Sequence, residues 1–403
     1  MFNQSTQSFI SAHLNDDVRQ LALRPVADKD IDLKAALQQI AGWQKARVKL
    51  PLWAEREGMV YPPHISMEQC SSESTARYKA TVARRLAAQR ENGAAGTLVD
   101  LTGGFGVDFS YMAEGFDRAV YVERQEHLCD IARHNFNVLG LAHTEVINAS
   151  AEDVLAGLDG VSLIFLDPAR RDSAGNRTFA ISDCTPDALS LKDALLAKAP
   201  TVMVKLSPML DWRKAVSDFG GAVSEVHIVA SGGECKELLL VLDRNDNAGV
   251  DVFCVNDDDI LSYNTADTEA QTPAVGPVPD NAGHLCEPNA AVMKAGCFSL
   301  IERRYGTRRI GLNSNLFVSA DAPCGFPGRV FAIESVTTMN RKELKTTLAG
   351  LTRANITVRN FPLTVAELRK RLKLKDGGDV YLFATTDSEG RHVIVKCRKT
   401  NVV

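Results

Sequence analysis

Residues 98–106 read Leu-Val-Asp-Leu-Thr-Gly-Gly-Phe-Gly, an apolar strand that ends in an acid and enters a glycine-rich turn. A helix is predicted to begin near Asp108, directly after this turn. Glycines permit positive φ and let a ligand approach the bare backbone, and the N-terminus of a helix favours a carboxylate. The stretch therefore predicts the first strand, loop and helix of a Rossmann-like α/β domain that holds a ligand over the loop.

Short apolar runs separated by helical stretches continue from this loop to residue 243. Their composition and spacing are typical of a parallel sheet with crossover helices. The runs predicted to be strands are 98–101, 119–122, 146–147, 163–166, 202–206, 226–229 and 238–242. The last two lack room for a crossover helix, so that pair is predicted to be antiparallel.

The length of 403 residues suits two or three domains, and the composition changes along the chain. Apolar residues such as Leu33, Leu37 and Ile40 recur at helical spacing near the start, whereas a βαβαββ order follows residue 328. A helix is also predicted over Glu287–Lys294. The predicted segments are an N-terminal helical region (1–95), an α/β domain (96–245), a linker and accessory segment (246–327) and an α+β domain (328–403).

The charge of the chain is unevenly distributed. Residues 341–375 hold ten Lys and Arg against Glu343 and Glu367, a net +8, which leaves −12 for the rest because the total is −4. A basic C-terminal module on an acidic body predicts a polyanionic partner.

The nine cysteines and the N-terminus indicate where the protein works. No cysteine pair has C-x-x-C spacing and the number is odd, so neither a zinc site nor a full disulfide set is predicted. Residues 1–20 lack the basic start and apolar run of a signal peptide. We therefore expect reduced thiols, no metal, no membrane partner and a cytoplasmic location.

The glycine-rich loop excludes one common nucleotide class. A nicotinamide cofactor needs G-x-G-x-x-G, but Phe109 stands where the third glycine would be, and Asp108 would repel a pyrophosphate. A ligand with an amino acid moiety suits the loop better, with Asp100 holding its amino group. Glu123, at the end of the second strand, is placed to accept hydrogen bonds from two ribose hydroxyls. The predicted cofactor residues are Asp100, Thr102, Gly103, Gly104, Phe105, Gly106, Asp108, Glu123 and Ser150. Ser150 follows the third strand, where the adenine of an adenosyl ligand is expected to lie.

The ends of the fourth and fifth strands supply the predicted catalytic corner. Residues there face the crevice at the carboxyl edge of an open α/β sheet. Asp167 would accept a proton or hydrogen bond from a nucleophilic nitrogen, and Pro168 would stiffen the turn. The catalytic residues are predicted to be Asp167, Pro168 and Arg170, and the substrate residues in this corner Arg171, Lys205 and Ser207. Two alternatives stay open: Asp167 merely caps the next turn, or Lys205 extends to solvent.

These motifs together resemble bacterial class I S-adenosylmethionine-dependent methyltransferases with a C-terminal THUMP-like domain. The resemblance implies a Rossmann-like seven-stranded methyltransferase core, S-adenosylmethionine as cofactor, and structured RNA (tRNA or rRNA) as substrate. It rests on DLTGGFGVD (100–108), YVERQEHLCDIARHNFNVLG (121–140), FLDPARRD (165–172), VKLSPMLD (204–211), GECKELLL (233–240), CEPNAAVMKAG (286–296), RNFP (359–362) and LRKRLKLKDGGDVYLFATT (368–386).

The resemblance also limits the chemistry. Ala169-Arg170 stands where amino-directed methyltransferases carry Pro-Tyr, so a stacking ring must come from elsewhere, such as Phe105, or the target is not an exocyclic amine. Ser207 occupies the place of the nucleophilic cysteine of uridine C5 methyltransferases, and serine without a base is a poor nucleophile. We therefore expect direct transfer to a nitrogen.

In the C-terminal module, Arg369, Arg371 and Lys373 lie on a predicted helix and are expected to bind RNA phosphates. A solvated charged face is the alternative. The sequence thus favours an RNA N-methyltransferase. A protein or small-molecule methyltransferase, or a non-catalytic protein that binds S-adenosylmethionine or RNA, are the competing hypotheses.

Overall fold

The computed structural model describes residues 2–26, 28–90, 96–170, 180–244, 249–267 and 274–400. The chain divides into two compact units, the first of residues 1–227 and 237–250, the second of residues 228–236 and 251–403. The helices of the first unit are α1 (Gln4–His13), α2 (Val18–Ala22), α3 (Leu33–Lys49), α4 (Pro51–Ala54), α5 (His64–Gln69), α6 (Glu73–Arg90), α7 (Val107–Ala113), α8 (Glu126–Val138), α9 (Ala151–Gly157), α10 (Ala188–Lys198) and α11 (Trp212–Asp218).

A parallel sheet forms the centre of the first unit. Its strands are β1 (Thr97–Asp100), β2 (Arg118–Glu123), β3 (Thr144–Asn148), β4 (Leu163–Leu166), β7 (Thr201–Leu206), β8 (Val223–Ser231) and β9 (Glu234–Leu242), with the short pair β5 (Ala169–Arg170) and β6 (Cys184–Thr185) outside it. The seven strands lie in the order β8-β9-β7-β4-β1-β2-β3. This confirms the predicted Rossmann-like seven-stranded core.

The pairing within this sheet follows from the connections. Strands β1, β2, β3, β4 and β7 pair in parallel, and a crossover segment separates each from the next. Strand β9 pairs antiparallel with β7. Only Gly232 and Gly233 join β8 to β9, and both have positive φ, so the two strands form the antiparallel hairpin that the short spacing predicts. The carboxyl ends of β1, β2, β4 and β7 consequently meet at one edge.

The N-terminal region is helical, as predicted, and α6 shows why. Ala76, Ala80 and Ala83 recur at helical spacing and are buried in one apolar cluster with Phe109 and Met112 of α7. The small residues let α6 approach α7 closely. The N-terminal helices therefore contribute to the core of the first unit.

A partly buried ion cluster ties α6 to β8. Nη1 and Nη2 of Arg85 donate to the Glu225 carboxylate at 2.9 and 2.5 Å, and His227 Nε2 lies 3.0 Å from that carboxylate. Burial alone would raise the pKa of Glu225, but His227 and Arg85 lower that pKa to about 2. The ionised Glu225 carboxylate therefore stabilises the fold fully at pH values above 4.5, the ordinary pKa of Glu. This stabilisation is lost as the pH falls through about 2.

We expect Glu225→Gln to lower the free energy of unfolding at pH 7 by about 3 kcal/mol, measured by urea denaturation. The difference between variant and wild type should shrink as the pH falls from about 4.5 towards 2. Glu145→Gln is the matched control, because Glu145 forms an exposed ion pair with Arg118 at 2.6 Å and should cost less than about 1 kcal/mol. Equal effects of both substitutions would contradict the prediction.

The second unit contains more regular structure than the sequence predicts. Residues 244–283 are rich in Asp, Asn, Gly and Pro, a composition that predicts excursions and a linker. The structure instead pairs β10 (Asp251–Asn256) antiparallel with β11 (Asp259–Asn264), and β10 lies beside β8. Asp257 has a φ of 52° in the connecting turn, a conformation that Asp tolerates better than most residues.

The predicted helix over Glu287–Lys294 is correct only in its second half. Residues 284–288 form β12 (His284–Pro288), and Asn289 then caps a helix with its side chain 3.0 Å from the Val292 amide. Pro288, which has no backbone N–H to donate, is the last residue of this strand. The accessory elements are α12 (Ala290–Ala295), α13 (Phe298–Tyr305), β13 (Arg308–Arg309) and β14 (Phe317–Ser319).

The last part of the chain has the predicted βαβαββ order. Its elements are β15 (Gly328–Thr338), α14 (Arg341–Thr347), β16 (Asn355–Arg359), α15 (Val365–Leu372), β17 (Val380–Thr386) and β18 (His392–Lys399). They share a seven-stranded sheet with the accessory strands, in the order β13-β14-β12-β15-β18-β17-β16. The pairing of β12 with β15 makes residues 284–327 part of the same sheet as the α+β elements.

Across the described parts of the chain, none of the helices has the length and apolar character that crossing a membrane requires.

Candidate active site

Three acidic side chains lie at the carboxyl edge of the parallel sheet. Asp100 ends β1, Glu123 ends the neighbouring β2, and Asp167 follows β4 on the other side of β1. The Asp167 amide donates to Thr102 Oγ1 at 2.6 Å, which joins the glycine-rich loop to the turn after β4. The edge thus presents the loop and the catalytic corner predicted from the sequence side by side.

Asp100 is a buried carboxylate. It accepts hydrogen bonds from the Thr102 amide at 2.9 Å and from the Thr102 hydroxyl at 3.4 Å. Burial raises the pKa of Asp100 well above its ordinary value, and the nearby charges of Asp108 and Asp167 raise it further. A cationic group brought close to Asp100 would offset the unfavourable effects of burial and of the neighbouring carboxylates on its ionised form.

Each position of the loop that holds a glycine requires it for a different structural reason. A Cβ on Gly103 would lie 2.1 Å from the ring of Tyr121, which is fully buried, so close packing excludes any side chain there. Gly104 and Gly106 have φ of 54° and 84°, and Gly106 precedes α7. The loop backbone therefore turns over the end of β1 without side chains at these positions.

The Glu123 carboxylate supports this loop directly. Its Oε2 accepts a hydrogen bond from the Gly104 amide at 3.0 Å, and its Oε1 accepts one from the Gln125 amide at 2.9 Å. These two bonds fix the orientation of the carboxylate. Because each carboxylate oxygen has two lone pairs, both retain capacity to accept a hydroxyl.

The structure places the remaining cofactor candidates differently. The Phe105 ring is buried against Trp53, with centroids 5.0 Å apart, so it is not placed to stack on a substrate base. The Asp108 carboxylate is buried against Lys79 and Lys205, so it is not placed to contact a cofactor as expected. Ser150 caps α9 through the Asp153 amide at 3.2 Å and lies after β3.

The catalytic corner is described in part. Pro168 is buried behind Asp167, and Arg170 lies on β5, which pairs with β6. Arg171 lies outside the described residues. Ser207 follows β7, where its hydroxyl accepts from the Met209 amide at 3.3 Å.

Lys205 points to the carboxylates. Its Nζ lies 2.6 Å from Asp167 Oδ2 and 3.4 Å from Asp108 Oδ2, and its side chain is 12% exposed, so the alternative of an extension to solvent is wrong. Burial alone would lower the pKa of Lys205, but the surrounding carboxylates, Asp167 first, raise that pKa well above its ordinary value. Lys205 is therefore a permanent cation beside Asp167.

Two further charged residues complete this cluster. Lys79 of α6 is fully buried, and its Nζ lies 2.5 Å from Glu237 Oε1 and 3.2 Å from Asp108 Oδ1. It also donates to Ser71 Oγ at 3.1 Å. Burial raises the pKa of Asp108, but Lys79 and Lys205 together hold that pKa below its ordinary value. Burial raises the pKa of Glu237, against the attraction of Lys79.

The sequence contained a signal for Lys79 that the prediction missed. Lys79 lies within the stripe of Ala76, Ala80 and Ala83 that α6 buries. A lysine is almost never fully buried unless it is paired, so a lysine in an apolar stripe predicts a buried carboxylate opposite it. Which carboxylate pairs with it does not follow from the pattern.

The basic residues predicted to bind RNA lie on or beside α15 in the second unit. Arg369 is engaged internally, because its guanidinium contacts Asp376 at 2.7 Å and the Ala354 carbonyl at 3.1 Å. Arg371 and Lys373 are exposed, and Lys373 ends the helix with a φ of 56°. Two of the three predicted phosphate contacts are therefore accessible.

Within the residues that the structure describes, no group of three or more His, Cys, Asp and Glu side chains is arranged to hold a metal ion.

Comparison with known proteins adds two family matches in the second unit. Residues 328–399 match the family model described as THUMP domain-like, and residues 284–327 match the model described as a ferredoxin-like domain. Among curated protein sequences, none matches this chain.

Solved structures resemble the whole chain or a part of it. A "putative methyltransferase" from Porphyromonas gingivalis W83 is 29% identical to this chain. The match covers 100% of each of the two chains and has a TM-score of 0.85. A SAM-dependent methyltransferase from Agrobacterium tumefaciens is 15% identical over 43% of this chain and 62% of its own, with a TM-score of 0.33. An rRNA methylase from Streptococcus thermophilus is 14% identical over 41% of this chain and 95% of its own, with a TM-score of 0.31.

The last two likenesses are too low to bear on the site, but the first extends over the entire chain. The chain therefore combines a class I methyltransferase fold, shared with the Porphyromonas gingivalis protein, with a C-terminal domain of the THUMP domain-like family.

Proposed function

We propose that this protein transfers a methyl group from S-adenosylmethionine to a base nitrogen of structured RNA, such as tRNA or rRNA. The observation that carries the proposal is the meeting of Asp100, Glu123 and Asp167 at the carboxyl ends of three adjacent parallel strands. This is the edge where open α/β sheets bind their ligands. The full-length likeness to a "putative methyltransferase" supports the assignment.

The residues present fit S-adenosylmethionine. Asp100 is buried with its pKa raised, and the ammonium of a methionine moiety would supply the cation that it lacks. Glu123 has oxygens with spare acceptor capacity for two ribose hydroxyls, and Ser150 lies beyond β3, on the side expected for the adenine. When bound, the cofactor supplies an activated methyl group on a sulfonium, and the protein mainly provides orientation.

Asp167 is the residue that we expect to orient the acceptor nitrogen. Its side chain is 41% exposed and lies 2.6 Å from the Lys205 ammonium. An ionised carboxylate accepts a hydrogen bond from an N–H and aligns the lone pair of that nitrogen with the methyl group. Ser207 carries a hydroxyl rather than a thiol, and the Cys184 thiol is buried. This favours direct transfer over a covalent intermediate.

The C-terminal basic module supports RNA as the substrate. The ridge of exposed cations on and beside α15, defined as Lys370, Arg371, Lys373 and Lys375, belongs to the segment with a net charge of +8. A surface of this kind attracts a polyanion through counterion release, so its contribution depends on salt.

We expect Arg371→Glu with Lys373→Glu to weaken RNA binding roughly 10-fold or more at moderate salt. The slope of log affinity against log salt should become shallower by about two, one for each lost phosphate contact. Fluorescence anisotropy over a salt series measures both quantities. Arg24→Glu with Lys34→Glu is the matched control, because it makes the same charge change at exposed positions of the first unit. Unchanged affinity and slope in the α15 variant would exclude the ridge as an RNA contact.

The proposed activity is tested by transfer of labelled methyl from S-adenosylmethionine to total RNA from cells that lack this gene. We expect incorporation that RNase removes and that Asp167→Asn slows by about 100-fold or more. Incorporation that resists RNase would identify a protein or small-molecule substrate. Binding of S-adenosylmethionine with no incorporation would favour a non-catalytic binding protein.

A further inference from the structure

Five charged side chains of the first unit form a line of alternating sign. Glu237 of β9 lies 2.5 Å from Lys79 of α6, which lies 3.2 Å from Asp108 of α7. Asp108 lies 3.4 Å from Lys205 of β7, which lies 2.6 Å from Asp167 after β4. Each lysine thus stands between two carboxylates, and the line connects four elements and the turn after β4.

The line runs from the interior to the edge of the sheet. The exposed fraction of the side chains is 4% for Glu237, 0% for Lys79, 10% for Asp108, 12% for Lys205 and 41% for Asp167. Only the last member reaches solvent to a substantial degree. Asp167 is therefore the accessible end of a structure that is otherwise buried.

Burial makes the members depend on each other. A buried charge without a partner is very unfavourable, and removing one partner of a buried pair leaves the other uncompensated. Loss of Lys79 would leave Asp108 with one cation, Lys205, and would draw that ammonium away from Asp167. The position of the Asp167 carboxylate is consequently linked to a lysine that it does not touch.

We propose that Lys205 and Lys79 are positioning residues, which hold the Asp167 carboxylate in the orientation that transfer requires. This inference rests on the proposed function for the role of Asp167. It assigns Lys205 to the support of Asp167 rather than to substrate binding. It also gives the N-terminal helical region a part in the reaction, because α6 contributes the buried cation.

Other groups near the line do not replace these contacts. Asp100 interacts electrostatically with Asp108 and Asp167 from β1. Lys49 and Cys70 interact with Lys205 over a longer range. Ser71 donates to Asp108 Oδ2 at 2.8 Å. The direct ionic partner of Asp167 in this line is Lys205.

The decisive variant removes the inner pair without changing the net charge. Lys79→Met with Glu237→Gln deletes one cation and one anion, and replacement of both partners of a buried pair is often neutral for stability. We expect kcat for methyl transfer to fall on the order of 100-fold, because a displacement of about 1 Å in a reacting group costs that much. The KM for RNA and the Kd for S-adenosylmethionine should stay near their wild-type values.

A matched control removes a buried pair elsewhere. Arg309 and Glu302 of the second unit lie 2.7 Å apart, and each is 7% exposed. Arg309→Met with Glu302→Gln should leave kcat unchanged. Lys205→Met should lower kcat as the inner double variant does, and Lys205→Arg should recover part of it, because the positive charge is kept. A wild-type kcat in the inner double variant would overturn the inference.

A second measurement decides the inference without any activity. Asp167→Asn is made in the wild type and in the Lys79→Met with Glu237→Gln background, and the shift of the unfolding midpoint is compared. A line that acts as one unit predicts different shifts in the two backgrounds. Equal shifts would overturn the inference. Absence of methyl transfer by the wild type would overturn the proposed function instead, so the two failures are distinguishable.

Discussion

Asp167→Asn is expected to lower kcat for methyl transfer by 100-fold or more, on the order of the loss when a positioned proton acceptor is removed. The amide has nearly the same shape, but it carries no charge to hold Lys205, 2.6 Å away, and is a weaker acceptor for a substrate N–H. Affinity for S-adenosylmethionine should not change, because the expected cofactor contacts lie on β1 and β2. Single-turnover transfer and calorimetric titration measure the two quantities separately.

Asp130→Asn provides the control for this substitution. Asp130 lies on α8 with its side chain 69% exposed, in a surface ion pair with Arg133 at 2.9 Å. It should retain wild-type kcat, since an exposed pair contributes little. If Asp167→Asn transfers methyl groups at the wild-type rate, Asp167 has no part in the reaction and merely caps the turn after β4.

Asp100→Asn is expected to change stability and cofactor affinity in opposite directions. The free protein should become more stable at pH 7, because the substitution removes a carboxyl group whose ionisation burial opposes, while the amide oxygen can still accept a hydrogen bond from the Thr102 amide. The Kd for S-adenosylmethionine should rise between about 10-fold and 100-fold, the equivalent of one charge-assisted hydrogen bond. Thermal unfolding without ligand and calorimetric titration test the two halves of this prediction.

The dependence on pH gives an independent test of Asp100. Burial raises the pKa of Asp100 in the folded protein, so at pH values between the ordinary pKa and the raised one the folded state holds a proton that the unfolded state has released. Its stabilising contribution is complete below the ordinary Asp pKa of 3.8 and is lost as the pH rises through the raised pKa. Asp100→Asn should remove this contribution to the loss of stability with rising pH.

Affinity for S-adenosylmethionine should increase with pH over the same range in the wild type, since an ammonium binds the ionised carboxylate. Asp130→Asn is again the control, because the Asp130 side chain is 69% exposed on α8 and its substitution should alter neither property. A lower stability of Asp100→Asn at pH 7, together with unchanged affinity, would show that Asp100 is a structural residue.

Local patterns in the sequence predicted most of the architecture. The seven strands of the first unit and the βαβαββ order after residue 328 all correspond to elements of the structure. These elements have strong periodicity and long apolar runs, so each can be recognised from its own residues. The glycine-rich turn at 102–106 was equally recognisable, because positive φ and close packing both demand glycine.

The elements that escaped prediction are those whose formation depends on a distant partner. Strands β10 and β11 lie in a segment rich in Asp and Asn, which favours turns when considered alone. Strand β12 pairs with β15, more than forty residues later along the chain. Such strands are stabilised by the neighbour that completes their hydrogen bonds, and the local composition carries little information about that neighbour.

The sequence by itself determined the class of the fold, the position of the loop at residues 100–106 and the acids at the ends of β1, β2 and β4. Parallel strands bring their carboxyl ends to one edge, so the order of the strands along the chain is enough to place these acids together. Only the tertiary structure decided how their charges are balanced. Lys79 and Glu237 are 158 positions apart, yet they meet in the interior. A buried charge requires a partner close in space, and nearness in space is a property of packing that no local pattern encodes.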